Sequence, residues 1–389
     1  MLKEKDLVIA VAKDVDAIGG KMYNVGGYVR DKILGRESKD IDVETHGITP
    51  TEFKSILSKY GEVDEIGASF GVLMVKGFDI DFTMPRTETK VGEGHKGFDV
   101  SIDPFMGTLT ACRRRDFKFN AVMEEVLTGA IVDHFDGISE LKKGIISHVD
   151  TDSFIEDPLR VFRACQFASR FNFEISKETL DLCSQIDITS LPRERVLKEL
   201  EKAILKSEKP SIFFYNLKKM DKLKPFFNEL GDLNDVMFDY VISQIDKLEN
   251  KSMESVLSII CYYIFDEDMF LSRFTNETNL IKNIKHNTYT ITQLSSDLDI
   301  VKMKNFAYLS LKKEDLMKDI VKAITSNEFY PLFEEVFNLA VEDVKVPLVT
   351  SKDLFKLGYK PGKDFGDKLK LAMKLQIEGL SKEEILSKI

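Results

Sequence analysis

No run of apolar residues approaches the 18 or more that a membrane-spanning helix needs, so no segment is expected to cross a bilayer. Cysteine is sparse. Cys112, Cys165, Cys183 and Cys261 lie far apart with no CxxC spacing, which excludes a zinc ribbon or a thioredoxin-like pair and predicts four reduced, buried thiols. The five histidines, His46, His95, His134, His148 and His286, show no metal-ligand spacing, and none is followed by aspartate. A helical metal-dependent phosphohydrolase is therefore not indicated, and no serine or cysteine triad assembles from the motifs. An excess of positive charge is also missing. The formal net charge of -10 argues against a generic basic nucleic-acid binder, but not against an RNA enzyme that gathers its arginines in one cleft. The first twenty residues read as an amphipathic helix closed by Gly19-Gly20, without a leader-peptide pattern, which predicts a cytoplasmic protein. What remains is an ordinary globular composition, 43% hydrophobic and 31% charged over 389 residues, enough for two to four domains.

Against that background the stretch 24–45, NVGGYVRDKILGRESKDIDVET, stands out. A strand-like start runs into Gly26-Gly27 and then a short amphipathic segment bearing Arg30. Past Lys39, Asp40 and Asp42 alternate with Ile41, which puts both carboxylates on one face of a strand. Two such carboxylates can hold divalent metals for phosphoryl or nucleotidyl transfer. A bare DxD is as easily a solvated acidic pair. Here, however, glycines that let the backbone approach a phosphate precede a helix N-terminus, and Arg30 one turn in offers a forked donor. Together they describe a place for a triphosphate and metal ions.

The rest of the first 145 residues reads as a small mixed sheet with few helices. Strands are expected at 22–25, 40–44, 70–75, 78–83 and 131–135, with a helix over 51–60 and a glycine-rich loop over 86–97. Asp79 and Asp81 share a strand face, and Asp81 is the candidate third carboxylate; a charge that protects an edge strand is the plainer alternative. Within Arg113-Arg114-Arg115-Asp116, a charge run that abuts apolar Phe117 and Phe119, Arg115 is the candidate phosphate contact.

From residue 153 strand signals nearly vanish. Helical spacing marks 158–171, 177–185, 193–205, 211–216, 254–265 and 364–378, and Ser381 with Glu384 forms a capping-box spacing for a last helix. In the segment after Glu156-Asp157-Pro158, Arg160, Arg163 and Arg170 share one helical face. The plain reading makes Asp157 a cap and the arginines surface. The sharper one makes Asp157 and Arg160 a base reader. Cytosine and adenine both present an amino donor beside a ring-nitrogen acceptor, which suits a carboxylate beside a guanidinium; guanine and uracil present the reverse. A two-bond contact of that kind discriminates by roughly 1–3 kcal/mol.

These residues resemble the bacterial CCA-adding enzymes and poly(A) polymerases, the class II group of polymerase-beta-like nucleotidyltransferases. GGYVRDKILGRESKDID at 26–42, RRDFKFNA at 114–121, EDPLRVFRACQFASRFNF at 156–173 and ERVLKEL at 194–200 are similar to that family's motifs in order. A looser likeness surrounds 359–363, and 215–345 match only as generic helices. The resemblance implies an α+β architecture: a catalytic head (1–145), a helical neck that selects the nucleotide (146–215), a helical body (216–345) and a tail that binds tRNA (346–389). It implies catalytic Asp40 and Asp42 as ligands of Mg2+, with Asp81, read from its strand face, as the candidate third catalytic carboxylate. Nucleotide contacts would come from Gly26, Gly27, Arg30, Arg115, Asp157, Arg160, Arg163 and Gln166. Gln166 stands where many members carry arginine, Lys118 replaces a common threonine, and His134 replaces a common proline.

The implied reaction is template-independent addition of CCA to the 3′ end of tRNA from CTP and ATP, with the acceptor stem held by body and tail. Neither a membrane nor a protein partner is indicated. A-only, CC-only and poly(A)-adding enzymes remain the near alternatives, and a catalytically silent RNA-binding relative the distant one. The final LSKEEILSKI forms no basic extension, which tilts away from poly(A) addition, and the 86–97 segment tilts away from CC-only addition. Retention of Asp40 and Asp42 speaks against a silent relative. Given the net charge, tRNA contact is expected to be local, from Lys352, Lys356, Lys360 and Lys363.

Overall fold

The computed structural model describes residues 3–37, 41–64, 72–90, 98–294 and 296–389. They form two compact units: 1–203 with 212–225, and 204–211 with 226–389.

The first unit opens with α1 (Glu4–Asp16), whose Leu7, Val8, Val11 and Val15 recur at helical spacing and are buried. A seven-stranded sheet follows. Its strands are β1 (Lys21–Asn24), β2 (Ile41–His46), β3 (Val63–Asp64), β4 (Val72–Val75), β5 (Ile80–Thr83), β8 (Met123–Glu125) and β9 (Ile131–Val132), in the order β3-β4-β5-β2-β1-β8-β9. β2 and β5 run parallel and the other neighbours antiparallel, so the sheet is mixed. Alternation explains β2: Ile41, Val43 and Thr45 point into a core with Leu57, Phe53 and Phe82, and Asp42 and Glu44 point the other way. Between the strands lie α2 (Gly26–Ile33) and α3 (Pro50–Leu57), the latter started by a Thr49–Glu52 capping box.

The segment expected as a loop from residue 86 starts differently. Arg86–Lys90 is a strand, β6, paired antiparallel with β7 (Phe98–Ile102) in a sheet of its own; residues 91–97 and most of the expected strand start at 70–71 lie outside the described residues. Register pairing of all five residues, from Arg86↔Ile102 to Lys90↔Phe98, overrides the glycine signal.

Helices then take over: α4 (Gly107–Arg113), α5 (Gly137–Lys143), α6 (Thr151–Ile155), α7 (Leu159–Phe171), α8 (Lys177–Gln185), α9 (Arg193–Leu205) and α10 (Ser211–Lys219), with the short parallel pair β10 (Ile145–Ile146) and β11 (Glu174–Ile175). An aromatic cluster ties segment 117–119 to α7. Phe117 stacks on Phe119 at 5.6 Å, and both meet Phe167 edge-on at 5.7 and 5.3 Å. This packing anchors the arginines that precede Phe117.

The second unit is helical among its described residues: α11 (Asn228–Gly231), α12 (Asp235–Asp246), α13 (Met253–Tyr263), α14 (Glu267–Ser272), α15 (Thr278–Thr292), α16 (Ile300–Ser310), α17 (Glu314–Ile324), α18 (Phe329–Lys345), α19 (Ser351–Lys356), α20 (Lys363–Ile377) and α21 (Lys382–Lys388). The expected Ser381–Glu384 capping box is present at α21. The four cysteines are free and buried, and burial pushes the Cys112 and Cys183 thiols up to about 11 and about 12. Among the described residues no helix is long and apolar enough to cross a membrane.

Candidate active site

One face of β2 and β5 forms the floor of a cleft of about 740 Å³ in the first unit. The parallel register sets Asp42 directly across from Asp81, with Glu44 across from Thr83 two pairs further on. Residues paired in register on neighbouring strands project to the same side, so Asp42 and Asp81 stand side by side in the cleft lining. Asp40, the other expected metal ligand, lies outside the described residues.

Gly26 lies just behind the lining residues Val25, Asp42 and Arg115. It begins α2 with φ +60°, and a side chain there would meet Asp42 Oδ2 at 3.7 Å and Arg115 Nη1 at 3.6 Å. Glycine is thus demanded by the left-handed backbone, and its bare face borders both groups. Gly26→Ala is expected to cost about 1–2 kcal/mol of stability through that conformation, checked by a thermal melt.

Arg115 is positioned by Glu44, whose carboxylate accepts from Nη2 at 3.0 Å and also bonds His46 Nε2 at 2.9 Å. Burial works against a charged Glu44, but the Arg115 guanidinium and the His46 ring outweigh it and hold the carboxyl below its usual range. Glu44 was not singled out in the sequence, although it continues the Asp40-Asp42 alternation.

One wall is α7 and α9. Asp157 accepts the Leu159 backbone N–H at 3.2 Å, but it is not the cap expected of it: the helix starts at Leu159, one residue later than expected, and Pro158 holds the N-cap position. Both of its oxygens also accept from Arg195, at 3.2 and 2.9 Å. Arg160 donates to the carbonyl oxygens of Ser153 (2.7 Å) and Arg114 (2.8 Å). Burial lowers its pKa, yet a guanidinium remains charged across the physiological range. Arg163 holds Asp116 Oδ2 from Nε and Nη2 at 2.8 and 2.5 Å.

Asp42, Asp81, Arg115, Asp157, Arg160 and Arg163 therefore line one cleft, joined by Arg86, Arg114 and Arg195. Arg195 was missed because its role depends on α9 meeting the start of α7, a contact 38 residues apart in sequence.

Three expected contacts, Arg30, Gln166 and Gly27, lie outside the cleft lining. Arg30 does not line the cleft: it is 4% exposed, donates to Asp31 Oδ1 at 2.8 Å and Asn120 Oδ1 at 2.9 Å, and stacks on Phe167 and Phe171. Its reach and its buried acidic neighbour turn it into the interior as a clamp between α2 and α7. Gln166 is 1% exposed and is likewise not in the cleft lining; its amide nitrogen has no hydrogen-bond partner among the described residues. Gly27 is not in the lining either; a side chain there would meet Arg30 Nη2 at 3.5 Å. Of the other departures, Lys118 pairs with Glu140 and His134 bonds Thr108.

Two carboxylates on adjacent strands thus share the cleft with a wall of guanidiniums. Residues 22–147 match the Poly A polymerase head domain family. The chain is 36% identical over 220 residues to a multifunctional CCA protein of Stenotrophomonas maltophilia, covering 55% of this chain and 52% of that one. It is 36% identical over 217 residues to one of Nitrosomonas europaea, covering 55% and 51%. The chain thus spans about half the length of the curated relatives it matches. Its fold is that of the CCA-adding enzymes. A Thermotoga maritima CCA-adding enzyme complexed with tRNA superposes with a TM-score of 0.73 at 24% identity, over 98% of this chain and 94% of that one. A Bacillus stearothermophilus CCA-adding enzyme in complex with CTP gives 0.75 at 19% identity, over 97% and 94%. The resemblance and the α+β architecture read from the sequence are borne out: a mixed-sheet head domain followed by helices.

Proposed function

We propose that this chain is a tRNA nucleotidyltransferase that adds CCA to the 3′ end of tRNA from CTP and ATP, without a nucleic-acid template and with release of pyrophosphate. The observation that carries the reading is the register of Asp42 against Asp81 in a cleft whose far wall holds Arg115, Asp157 and Arg160. The relatives' name and the CTP- and tRNA-bound neighbours support the substrates. Cytoplasmic location follows as part of the same proposal.

The chemistry follows from the residues. Asp42 and Asp81, adjacent acceptor-only side chains with one exposed to solvent, suit a hard divalent cation such as Mg2+; Asp40 is proposed as a further ligand. When bound, Mg2+ would supply charge neutralisation at the α-phosphate and a lowered pKa for the attacking ribose hydroxyl. Arg115, fixed by Glu44, offers phosphate donors, and the open backbone at Gly26 leaves room for phosphate beside it. Asp157 and Arg160 present an acceptor beside a donor for cytosine or adenine. Head, neck, body and tail are proposed at 1–145, 146–215, 216–345 and 346–389. In the tail, Lys352, Lys356, Lys360 and Lys363 are all exposed and, among the described residues, engaged in no ion pair, as a phosphate-binding stripe requires.

The decisive experiment incubates the protein with tRNA transcripts ending before C74, after C74 and after C75, with each NTP separately. Completion of CCA from all three with CTP and ATP is expected. Products limited to A or to CC, or an A tail, would replace the proposal with one of its neighbours.

Base choice makes a separate prediction. Asp157→Ala is expected to relax the preference for CTP and ATP over UTP and GTP by about tenfold or more, the worth of a two-bond contact. Arg195→Ala, which leaves the Asp157 carboxylate without its orienting partner, is expected to shift the preference in the same direction by less. Incorporation ratios for the four NTPs measure both, and unchanged ratios would leave Asp157 with only its contact to the helix start.

A further inference from the structure

The second unit contains a cavity of about 650 Å³ that the nucleotidyl-transfer reading does not use. It lies between two helical stripes. Val301, Lys302, Asn305, Tyr308 and Leu309 recur at helical spacing on α16, and Lys370, Met373, Lys374, Ile377 and Glu378 do so on α20 and its end. The stripes face one another without closing. Leu294, Val301, Leu309, Met373 and Ile377 give the cavity an apolar floor, and its volume is in the range of small-molecule sites.

The polar groups at the mouth are unequal. Lys302 and Lys370 each have a carboxylate nearby, Asp297 at 3.9 Å and Asp367 at 3.6 Å. Lys374, the Asn305 amide and the Tyr308 hydroxyl have no hydrogen-bond or ion-pair partner among the described residues, yet all three line the cavity. Lys302 and Lys370 are offset by Asp297 and Asp367, which leaves Lys374, one helical turn before Glu378, as the cation at the mouth without an ion-pair partner among the described residues. A cation flanked by two unused hydrogen-bonding groups above an apolar floor suits a small molecule with one anionic head and an apolar body.

We propose that this cavity binds a small amphipathic anion, with the head on Lys374, Asn305 and Tyr308 and the apolar body on Met373, Ile377 and Leu309. A carboxylate and a phosphate monoester share that head chemistry. The test is isothermal titration of the full chain, kept below the micelle concentration, with decanoate, decyl phosphate and decanol. One saturable site is expected for one or both anions, the stronger response naming the head, with decanol weaker by about tenfold or more. Lys374→Ala is expected to weaken the anion by a similar factor, Lys374→Arg to retain it, and Asn305→Trp to block it by filling the cavity, each with an unchanged melting temperature of the ligand-free chain. Equal binding of anion and alcohol, or undiminished binding by Lys374→Ala, would overturn the proposal. So would displacement of the bound anion by tRNA, which would assign the cavity to the RNA surface. None of these measurements involves nucleotide addition, so the result stands apart from the proposed reaction.

Discussion

Asp42→Ala is expected to reduce nucleotide incorporation by at least about 10³-fold, some 4 kcal/mol of transition-state stabilisation, while tRNA affinity and the folded state persist. The size follows from position. Asp42 stands on the central strand of the head, across from Asp81, and its carboxylate and the Arg115 guanidinium both border Gly26. Its backbone contribution to the sheet survives the substitution, because Val25 N–H bonds the Asp42 carbonyl oxygen rather than its side chain. Single-turnover extension of a tRNA lacking its 3′-terminal A, beside a gel-shift titration of the same RNA, separates chemistry from binding. The same loss is expected for Asp81→Ala and on chelation of divalent ions. Full activity in Asp42→Ala, or in excess chelator, would remove the metal assignment.

Asp116→Ala is expected to be the most destabilising single change in the first unit, by about 3–5 kcal/mol, because it removes one partner of a buried ion pair. One Asp116 oxygen accepts from Phe117 N–H at 2.8 Å and Asn120 Nδ2 at 3.0 Å, and the other from Arg163. Asn120 in turn accepts from Arg30, so the carboxylate is the hub of a polar chain from α2 through segment 114–121 to α7. A melting-temperature drop on the order of 10 °C is expected. The pH dependence carries a sign. Burial disfavours the Asp116 charge, but Arg163 first, then Asn120 and Arg160, hold its carboxyl below the usual value. A group whose folded pKa is depressed stabilises fully above its unfolded pKa, about 3.9, and that contribution is lost as pH falls through the lower folded value. Asp116→Asn should therefore lose stability at neutral pH and show a shallower decline in acid. A urea midpoint measured from pH 7 down to pH 3 checks it, and parallel curves for the two proteins would exclude Asp116 as the source.

What could be read without the fold was periodic or local. The alternation Ile41-Asp42-Val43-Glu44 can satisfy one buried face only as a strand, and it placed a carboxylate on the polar side. The glycine at position 26, the helical stripe of Arg160 and Arg163, and the Ser381–Glu384 capping box are equally local, since each depends on residues within a turn or two. The glycine-rich stretch after residue 86 was misjudged at its start, because strand pairing with Phe98–Ile102 supplies hydrogen bonds that local propensity does not show.

What only the tertiary structure decided was the partner of each charged group. Arg30 had the local look of a phosphate donor, yet Asn120 and the Phe167 and Phe171 rings, 90 or more residues away, draw it inside. Arg195 reaches Asp157 only because α9 meets the start of α7. Asp81 becomes the neighbour of Asp42 through a parallel register that no turn between them dictates. The physical reason is common to all three. Backbone periodicity is set by adjacent residues, whereas a guanidinium or carboxylate takes the strongest partner that the folded chain brings within about 3 Å. The sequence by itself thus determined the head's strand–glycine–helix–strand unit and the chemistry it can hold; the folded chain determined which arginines face the cleft and which brace it from within.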